Sequence, residues 1–504
     1  MALARVSTFA LDGVEARGVW VEADIRSGLP SFSVVGLADK AVREARERVR
    51  AAVTNSGYVF PGERITINLA PAYLRKVGAA FDLPVAIAVL AASGQIEAAE
   101  VAGCAVVGEL SLYGEVRPMR GALAMAESAR RSGLDRVLLP WSKASEAALV
   151  TELGVLGVTS LQEAVEVLRG VRDPAPPPES GAEDPPFEEP DLSDVRGQNA
   201  LIPALEVAAA GGHNLFLHGP PGTGKTMLAR RLPSLLPPMT AGEAIEVTRL
   251  HSIAGDHDGG LAVRRPFRAP HHSISASGLV GGGTGPTPGE ATLAHHGVLF
   301  LDELSEFTRP ALEALRQPLE DGRVTIVRAQ RVMVFPTRVT LVAASNPCAC
   351  GMGESACRCT AADLARHQRR LSGPLLDRID VSVTVGRPSA AALRNQEAPS
   401  SAAVRERIVA ARERQTTRLA GTGMTCNAQM TARALRQHGA ATADAERLLH
   451  ALHDRNALSA RGHGRILRVA RTLADLASSE RILAEHVHQA AALRLDDQSL
   501  ALAA

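Results

Sequence analysis

Apolar positions follow three patterns along the chain. Between residues 191 and 387, short uninterrupted runs recur: Leu215-Phe216-Leu217, Val298-Leu299-Phe300-Leu301 and Val339-Thr340-Leu341-Val342-Ala343-Ala344. Runs without alternation predict strands of a parallel sheet covered on both faces. Each run ends in polar residues: His218, Asp302-Glu303 and Ser345-Asn346. Near Arg309-Pro310 a helix begins with proline in its first turn, and Gly322 stands just past its end. Val324-Thr325-Ile326-Val327 and Val332-Met333-Val334-Phe335 then predict a hairpin with a basic tip, Arg328-Ala329-Gln330-Arg331. From 388 to 504 the spacing is helical, with segments at 404–418, 428–438, 443–458, 465–478 and 484–495. Before residue 170 the pattern is mixed. Thr66-Ile67-Asn68-Leu69 reads as a strand, 39–52 as an Arg/Glu-laced helix and 79–92 as an apolar, buried helix. Residues 108–118 hold two short extended runs, followed by a helix and the strand Arg136-Val137-Leu138-Leu139-Pro140.

Residues 171–190 are rich in Pro and Glu, a composition that cannot bury a core and stays extended. The predicted organisation is therefore an α+β domain at 1–170, a linker at 171–190, an α/β core at 191–387 and a helical domain at 388–504.

Chemistry enters with Gly219-Pro220-Pro221-Gly222-Thr223-Gly224-Lys225-Thr226, set between the run ending at His218 and the helix start Met227-Leu228-Ala229. Strand, glycine loop and helix start form the context of a phosphate-binding loop. Its backbone N–H groups would cradle a triphosphate, Lys225 would reach the β and γ phosphates, and the Thr226 hydroxyl would ligate Mg²⁺. The only lysines are Lys40, Lys76, Lys143 and Lys225, so after Lys143 the single ammonium falls in this loop. Asp302, at the end of a buried strand, is expected to hold the Mg²⁺ shell, and Glu303 to orient and polarise the attacking water. ATP and Mg²⁺ are the expected cofactors.

The totals add bounds. At 504 residues about three domains are expected. No apolar stretch approaches the roughly 18 residues of a membrane span, and Met1-Ala2-Leu3-Ala4-Arg5 lacks a secretory core, so a cytoplasmic location without membrane contact is expected. A net charge of +1 is silent about partners, since positive potential can be confined to one face. Of six cysteines, four crowd together: Cys348, Cys350, Cys357 and Cys359. Four thiolates suffice for a tetrahedral Zn²⁺ site; reduced thiols in a loop are the alternative. Adjacent histidines, His271-His272 and His295-His296, point apart and do not readily chelate one ion, so polar contacts near the nucleotide are the expectation for them.

Several stretches resemble known families. Residues 1–170 resemble the Lon-protease-like domain, of the ribosomal-protein S5 domain 2 type. Ala80 and Leu123 stand where that family has its nucleophilic serine and its lysine, which opposes peptidase chemistry and leaves a binding or assembly module. Asp191-Leu192-Ser193-Asp194-Val195-Arg196-Gly197-Gln198 resembles the lead-in of AAA+ ATPases, with Val195 and Gly197 as the implied adenine contacts. Asn346 resembles the sensor 1 asparagine. Ser372-Gly373-Pro374-Leu375-Leu376-Asp377-Arg378 resembles the arginine-finger segment, which implies a ring with shared active sites; an Arg378 paired with Asp377 or Asp380 is the alternative. Arg461 resembles sensor 2, with Arg465 and Arg468 close enough to compete. Arg264-Arg265-Pro266-Phe267-Arg268-Ala269-Pro270-His271-His272-Ser273, Gly278-Leu279-Val280-Gly281-Gly282-Gly283 and Pro288-Gly289-Glu290 resemble the magnesium-chelatase-like branch. In a ring the hairpin tip would face the channel, where Arg328 and Arg331 could hold phosphates without reading bases; a solvated turn is the alternative.

In this order the landmarks resemble the ComM/YifB family. The resemblance implies a hexameric motor, stimulated by single-stranded or branched DNA, that promotes branch migration in recombination during natural transformation. It leaves the N-terminal domain free to recruit recombination proteins. A metal-chelatase motor subunit and a slow ATPase switch are the rival readings.

Overall fold

Two strands of 11 and 12 residues, β1 (Ala2–Asp12) and β2 (Glu15–Arg26), pair antiparallel about a turn at Gly13. They anchor the first of two folded units in the computed structural model. The structure describes residues 2–37, 39–178, 190–257, 259–283, 287–328, 331–352, 357–371, 373–395, 397–456 and 460–494. Along β2, buried Val19, Val21, Ala23 and Ile25 alternate with more exposed residues, as a strand with one covered face requires. With β3 (Ser31–Val35), β4 (Arg64–Ala70), β5 (Cys104–Val106), β6 (Arg136–Pro140) and β7 (Gly154–Val158) they form a mixed sheet of order β3-β4-β2-β1-β5-β6-β7. The apolar helix Asp82–Ala92 is buried, and its Asp82 carboxylate is compensated by Arg48 at 2.7 Å. Expected as one helix, residues 39–52 form two, Lys40–Arg43 and Ala45–Asn55, and the Asp39 side chain caps the first by accepting from the Val42 N–H at 2.9 Å.

Residues 241–263 and 325–335 group with this unit, although their sequence position lies inside the expected 191–387 core. The helix Ala241–Ala254 places Ile253 in the cluster of Phe9, Ala122 and Met125. Ser252 accepts at its carbonyl from the Gly121 N–H (3.2 Å), and Arg249 pairs with Glu127 at 2.7 Å. Leu123 and Ala80 carry no reactive group, and the Leu123 N–H donates to the buried Glu146 carboxylate at 2.8 Å. The expected hairpin is present as Arg323–Arg328 and Arg331–Pro336. The side chains of Arg328 and Arg331, and the tip between them, lie outside the described residues.

The second unit contains the uninterrupted apolar runs. β8 (Leu215–His218), β9 (Phe267–Arg268), β10 (Val298–Leu301), β11 (Thr340–Ser345) and β12 (Val381–Thr384) form a wholly parallel sheet of order β9-β10-β11-β8-β12. Every residue of β10 and β11 is buried, which is why neither alternates. The helix expected after Arg309-Pro310 breaks at Leu315 into Arg309–Ala314 and Arg316–Asp321, since Pro318 cannot donate a helical hydrogen bond back to Ala314.

The C-terminal helices belong to this same unit rather than standing apart. Ser401–Arg418 shares its core with the helices Ile202–Gly211 and Lys225–Leu235 through Val404, Ile408 and Ala411. Arg412 and Gln415 donate to the carbonyl of Ala210 at 2.9 and 3.0 Å and so cap that shorter helix. Among the described residues no helix is long and apolar enough to cross a membrane.

A buried charge network ties the C-terminal helices together. Asp475, 1 % exposed, accepts from Arg418 at 2.6 and 2.8 Å and from Asn427 at 2.8 Å, and pairs with Arg471 at 3.0 Å. Asp475→Ala would leave two guanidinium groups without their counter-ion. It is expected to lower stability by about 3–5 kcal/mol, read from the midpoint of urea unfolding. A loss below about 1 kcal/mol would show the arginines re-solvated at little cost.

Candidate nucleotide-binding site

The loop after β8 is shaped by glycine. Gly222 and Gly224 take φ of 75° and 94°, the left-handed region that side chains resist, and Gly224 leads directly into the helix Lys225–Leu235. The first N–H groups of that helix have no intrahelical acceptor and carry its positive dipole end, an environment for an anion. Thr223, nearly buried, closes the loop by donating its hydroxyl proton to the Pro220 carbonyl at 2.9 Å. Gly219 and Pro221 complete the turn.

Lys225 is mostly buried, and its ammonium donates to the carbonyls of Gly219 (2.7 Å) and Pro220 (2.8 Å) and to Asn346 Oδ1 (3.2 Å). Burial draws its pKa down, opposed by Asp302 and Glu303. Asn346, immediately after β11, therefore meets the loop lysine across 121 residues of sequence. Its carbonyl accepts from His367 Nε2 at 3.0 Å, on the helix Ala361–Arg370.

From β10 come the two acids. Thr226 Oγ1 donates to Asp302 Oδ2 at 2.6 Å, so a hydroxyl and a carboxylate converge beside the loop. Such an oxygen pair, with room for waters and phosphate oxygens, fits Mg²⁺, which is held through one or two carboxylates plus substrate phosphates. Glu303 adopts φ 52°, ψ 50°, an unfavourable conformation for a side-chain-bearing residue, and its N–H donates to Asp302 Oδ1 at 2.9 Å. The Glu303 carboxylate is half-exposed and 3.5 Å from His272 Nδ1.

His272 thus stands beside Glu303; in the sequence it belongs both to a histidine pair and to the stretch that resembles the magnesium-chelatase-like branch. The other pair does different work. His295 Nδ1 accepts from the Arg338 N–H at 2.9 Å, and the His296 N–H donates to the Arg338 carbonyl at 2.8 Å, pinning the chain ahead of β10.

The lead-in segment packs beside the phosphate loop. Val195 is fully buried, and Gly197 turns with φ 72°. A Cβ at Gly197 would stand 2.5 Å from Pro388 Cβ. Gly197→Ala is expected to cost about 1–3 kcal/mol of stability and to weaken ATP binding. Thermal unfolding with and without ATP would measure both, and an unchanged profile would contradict the role given to this turn. Next to it, Gln198 donates to the carbonyls of Thr223 (3.0 Å) and Gly386 (2.8 Å), joining lead-in, phosphate loop and the residues after β12. Gln198 closes the lead-in stretch, and nothing in its sequence setting marks it for this role.

Arg378 lies elsewhere. It precedes β12, which runs parallel to β8, and its carbonyl accepts from Asn214 Nδ2 at 2.9 Å just before β8 begins. It is thus at the N-terminal edge of the sheet, whereas the phosphate loop leaves the C-terminal edge. The four residues of β8 separate the two by about 13 Å. Its guanidinium, 8 % exposed, pairs with Glu320 rather than with Asp377 or Asp380. Of the sensor 2 candidates, Arg465 is 3.8 Å from Asp380 and Arg468 donates to the Met430 carbonyl at 2.8 Å. Arg461 is exposed and makes no hydrogen bond or ion pair among the described residues, so it alone is uncommitted.

The cysteines converge. Cys348 Sγ is 3.3 Å from Cys350 Sγ and 3.6 Å from Cys357 Sγ, Cys350 is 3.9 Å from Cys357, and all four sulfurs, Cys359 included, lie within 4.8 Å of one another. Backbone N–H groups of Arg358 and Met352, with the Cys348 thiol, bring Cys350 down to about 6. Buried Cys104 is instead pushed up to about 12 by desolvation.

Known proteins resemble the chain along nearly its whole length. Residues 191–393 match the family described as Magnesium chelatase, subunit ChlI; residues 21–143 match Subunit ChlI of Mg-chelatase; residues 398–494 match its C-terminal family. An uncharacterized protein of Mycobacterium tuberculosis is 45 % identical over 95 % of both chains. YifB of Escherichia coli is 42 % identical over 99 % of this chain and 98 % of its own length, and Competence protein ComM of Haemophilus influenzae 41 % over 98 % of both. With a parallel five-stranded sheet, a phosphate loop on its second-last strand and these full-length likenesses, the chain belongs to the ComM/YifB family of magnesium-chelatase-like AAA+ ATPases.

Proposed function

We propose that the protein is a ring-forming ATPase motor that works on single-stranded or branched DNA and drives branch migration during recombination of incoming DNA. The observation that carries the ring is the position of Arg378. At the opposite edge of the sheet from its own phosphate loop, it stands too far away to complete that site, which supports a role at the site of a neighbouring copy once it leaves Glu320.

In that reading the loop N–H groups and Lys225 hold the β and γ phosphates. Thr226 and Asp302 hold Mg²⁺, which neutralises charge on the phosphate oxygens. Glu303 accepts a proton from the attacking water, Asn346 positions that water, and Val195 and Gly197 border the adenine. Arg461 reaches the same nucleotide from the C-terminal helices. Arg378 leaves Glu320 for the neighbour's γ phosphate and stabilises the charge that develops in transfer. Six copies are the proposed ring, with Arg328 and Arg331 of the hairpin on the DNA phosphates, binding without regard to sequence. The N-terminal unit, lacking a nucleophile at Ala80 and Leu123, serves as the attachment point for recombination proteins.

Likeness to a competence protein over the full chain supports this reading over a chelatase subunit. An ATPase assay with and without single-stranded and branched DNA tests it. Stimulation by DNA is expected, together with strand displacement from a branched substrate. Hydrolysis indifferent to every DNA would favour a metal-chelatase motor instead.

A further inference from the structure

We propose that Cys348, Cys350, Cys357 and Cys359 form a structural four-thiolate Zn²⁺ site that fastens the segment between Asn346 and the helix Ala361–Arg370 against the phosphate loop.

The donor set is the first argument. Four cysteines without a histidine or carboxylate select a thiophilic metal over Mg²⁺ or Ca²⁺. Spacing is the second. A tetrahedral ion with Zn–S of about 2.3 Å separates its sulfurs by about 3.8 Å, and the observed separations are 3.3, 3.6 and 3.9 Å. Disulfides are excluded, since a bonded pair stands about 2.05 Å apart. An iron–sulfur cluster would need its thiolates spread over several metal atoms, whereas these converge on one point. Third, the Cys350 N–H donates to Cys359 Sγ at 3.4 Å, the kind of outer contact that orients a thiolate ligand.

The local chain gives no other reason for the convergence. Between Pro347 and Thr360 only Cys348 and Gly351 are buried among the described residues, and no helix or strand forms. Residues 353–356 lie outside the described residues, and none of them is needed as a ligand. A segment with so little apolar burial brings four sulfurs together, for which thiol contacts alone are weak compensation.

Its placement gives the ion a consequence. A Cβ on Gly351 would stand 3.1 Å from Pro221 Cδ, so the cysteine turn rests directly on the phosphate loop. On its other side the segment begins at Asn346, which is bonded to Lys225 and to His367. Cys348, Cys350, Cys357 and Cys359 are thus positioning residues for Asn346 and the loop. The effect on turnover rests on the ATPase reading; the metal content does not.

Full-length protein purified in reducing buffer without chelator should contain one zinc per chain by mass spectrometry of the metal. Thiol modification should release that zinc into a chromogenic chelator as these four cysteines react. Protein without metal that also fails to take up Zn²⁺ or Co²⁺ after reduction would overturn the proposal, as would stoichiometric iron. Because Cys357→Ser removes a ligand and risks unfolding the segment at once, wild-type protein stripped by chelator is compared with the same sample after Zn²⁺ is restored. Stripping should lower kcat by about 10- to 100-fold while a fluorescent ATP analogue still binds, and restoring Zn²⁺ should recover turnover. Bound zinc with unchanged kcat on removal would overturn its positioning role. A zinc-loaded protein with no ATPase under any condition would instead count against the ATPase reading.

Discussion

Replacing Arg378 by alanine is expected to reduce ATP turnover by about 10³-fold or more while leaving ATP binding nearly intact. The size of the effect follows from where the guanidinium acts. It contributes nothing to the loop that first holds the nucleotide, and everything to charge that appears only as the γ phosphate transfers. Glu320 is half-exposed and re-solvates when the arginine is removed, but the arginine itself is buried, so a lowered unfolding midpoint is expected beside an unchanged circular dichroism spectrum at the assay temperature. ATP binding that persists in the variant separates the loss of turnover from loss of fold. The sharper measurement mixes subunits. Neither Arg378→Ala nor Lys225→Ala should hydrolyse ATP alone, yet random mixing in equal parts creates wild-type pockets at about a quarter of the interfaces of a ring. Recovered turnover is the expected outcome. A monomer that hydrolyses ATP at full rate without Arg378, in the presence of nucleotide and DNA, would remove the basis for a shared site.

Glu303→Gln should lower kcat by about 10²- to 10⁴-fold and trap ATP on the protein. Glutamine keeps the length of the side chain, and the backbone strain at φ 52° is the same for both residues, so binding and stability should change little. What is lost is the capacity to take a proton from water. The pair with His272 at 3.5 Å makes His272 a candidate for holding this carboxylate until nucleotide arrives. Strand displacement should fail in this variant together with hydrolysis, while ATP-dependent assembly persists. Displacement that continues without hydrolysis would separate DNA remodelling from the ATPase and contradict the motor reading.

The two substitutions act on groups of very different legibility. Glu303 follows a four-residue apolar strand within the chain, and the strand, the acids and their order are all local. Arg378 was identified only by resemblance. Nothing in Asp377-Arg378-Ile379-Asp380 separates a finger from an ion pair, and the fold adds two facts no local pattern holds: the parallel pairing of β12 with β8 puts Arg378 at the edge away from the loop, and its partner is Glu320.

Other parts of the chain were harder to read for related reasons. The hairpin of β1 and β2 carries its signal locally, in the alternation at Val19, Val21, Ala23 and Ile25. The helix start at Asp39 reflects its side-chain cap and the break at Leu315 the missing donor of Pro318, both of them local features. By contrast, no local pattern shows that 241–263 and 325–335 fold with the N-terminal unit. Ile253, Arg249 and Ser252 look like residues of any amphipathic helix, and their partners Phe9, Glu127 and Gly121 lie far off in sequence.

By itself, the sequence determined the chemistry of the phosphate loop and its acids, because glycine torsions, buried apolar runs and strand-end carboxylates depend on neighbours a few residues away. Only the tertiary structure decided that Gln198 joins three segments, that His272 faces Glu303, that four sulfurs meet beside Pro221 and that Arg378 lies at the sheet edge opposite the phosphate loop, paired with Glu320. Those are relations between residues brought together by packing across tens to hundreds of positions, and packing is decided by the whole core at once rather than by any stretch of it.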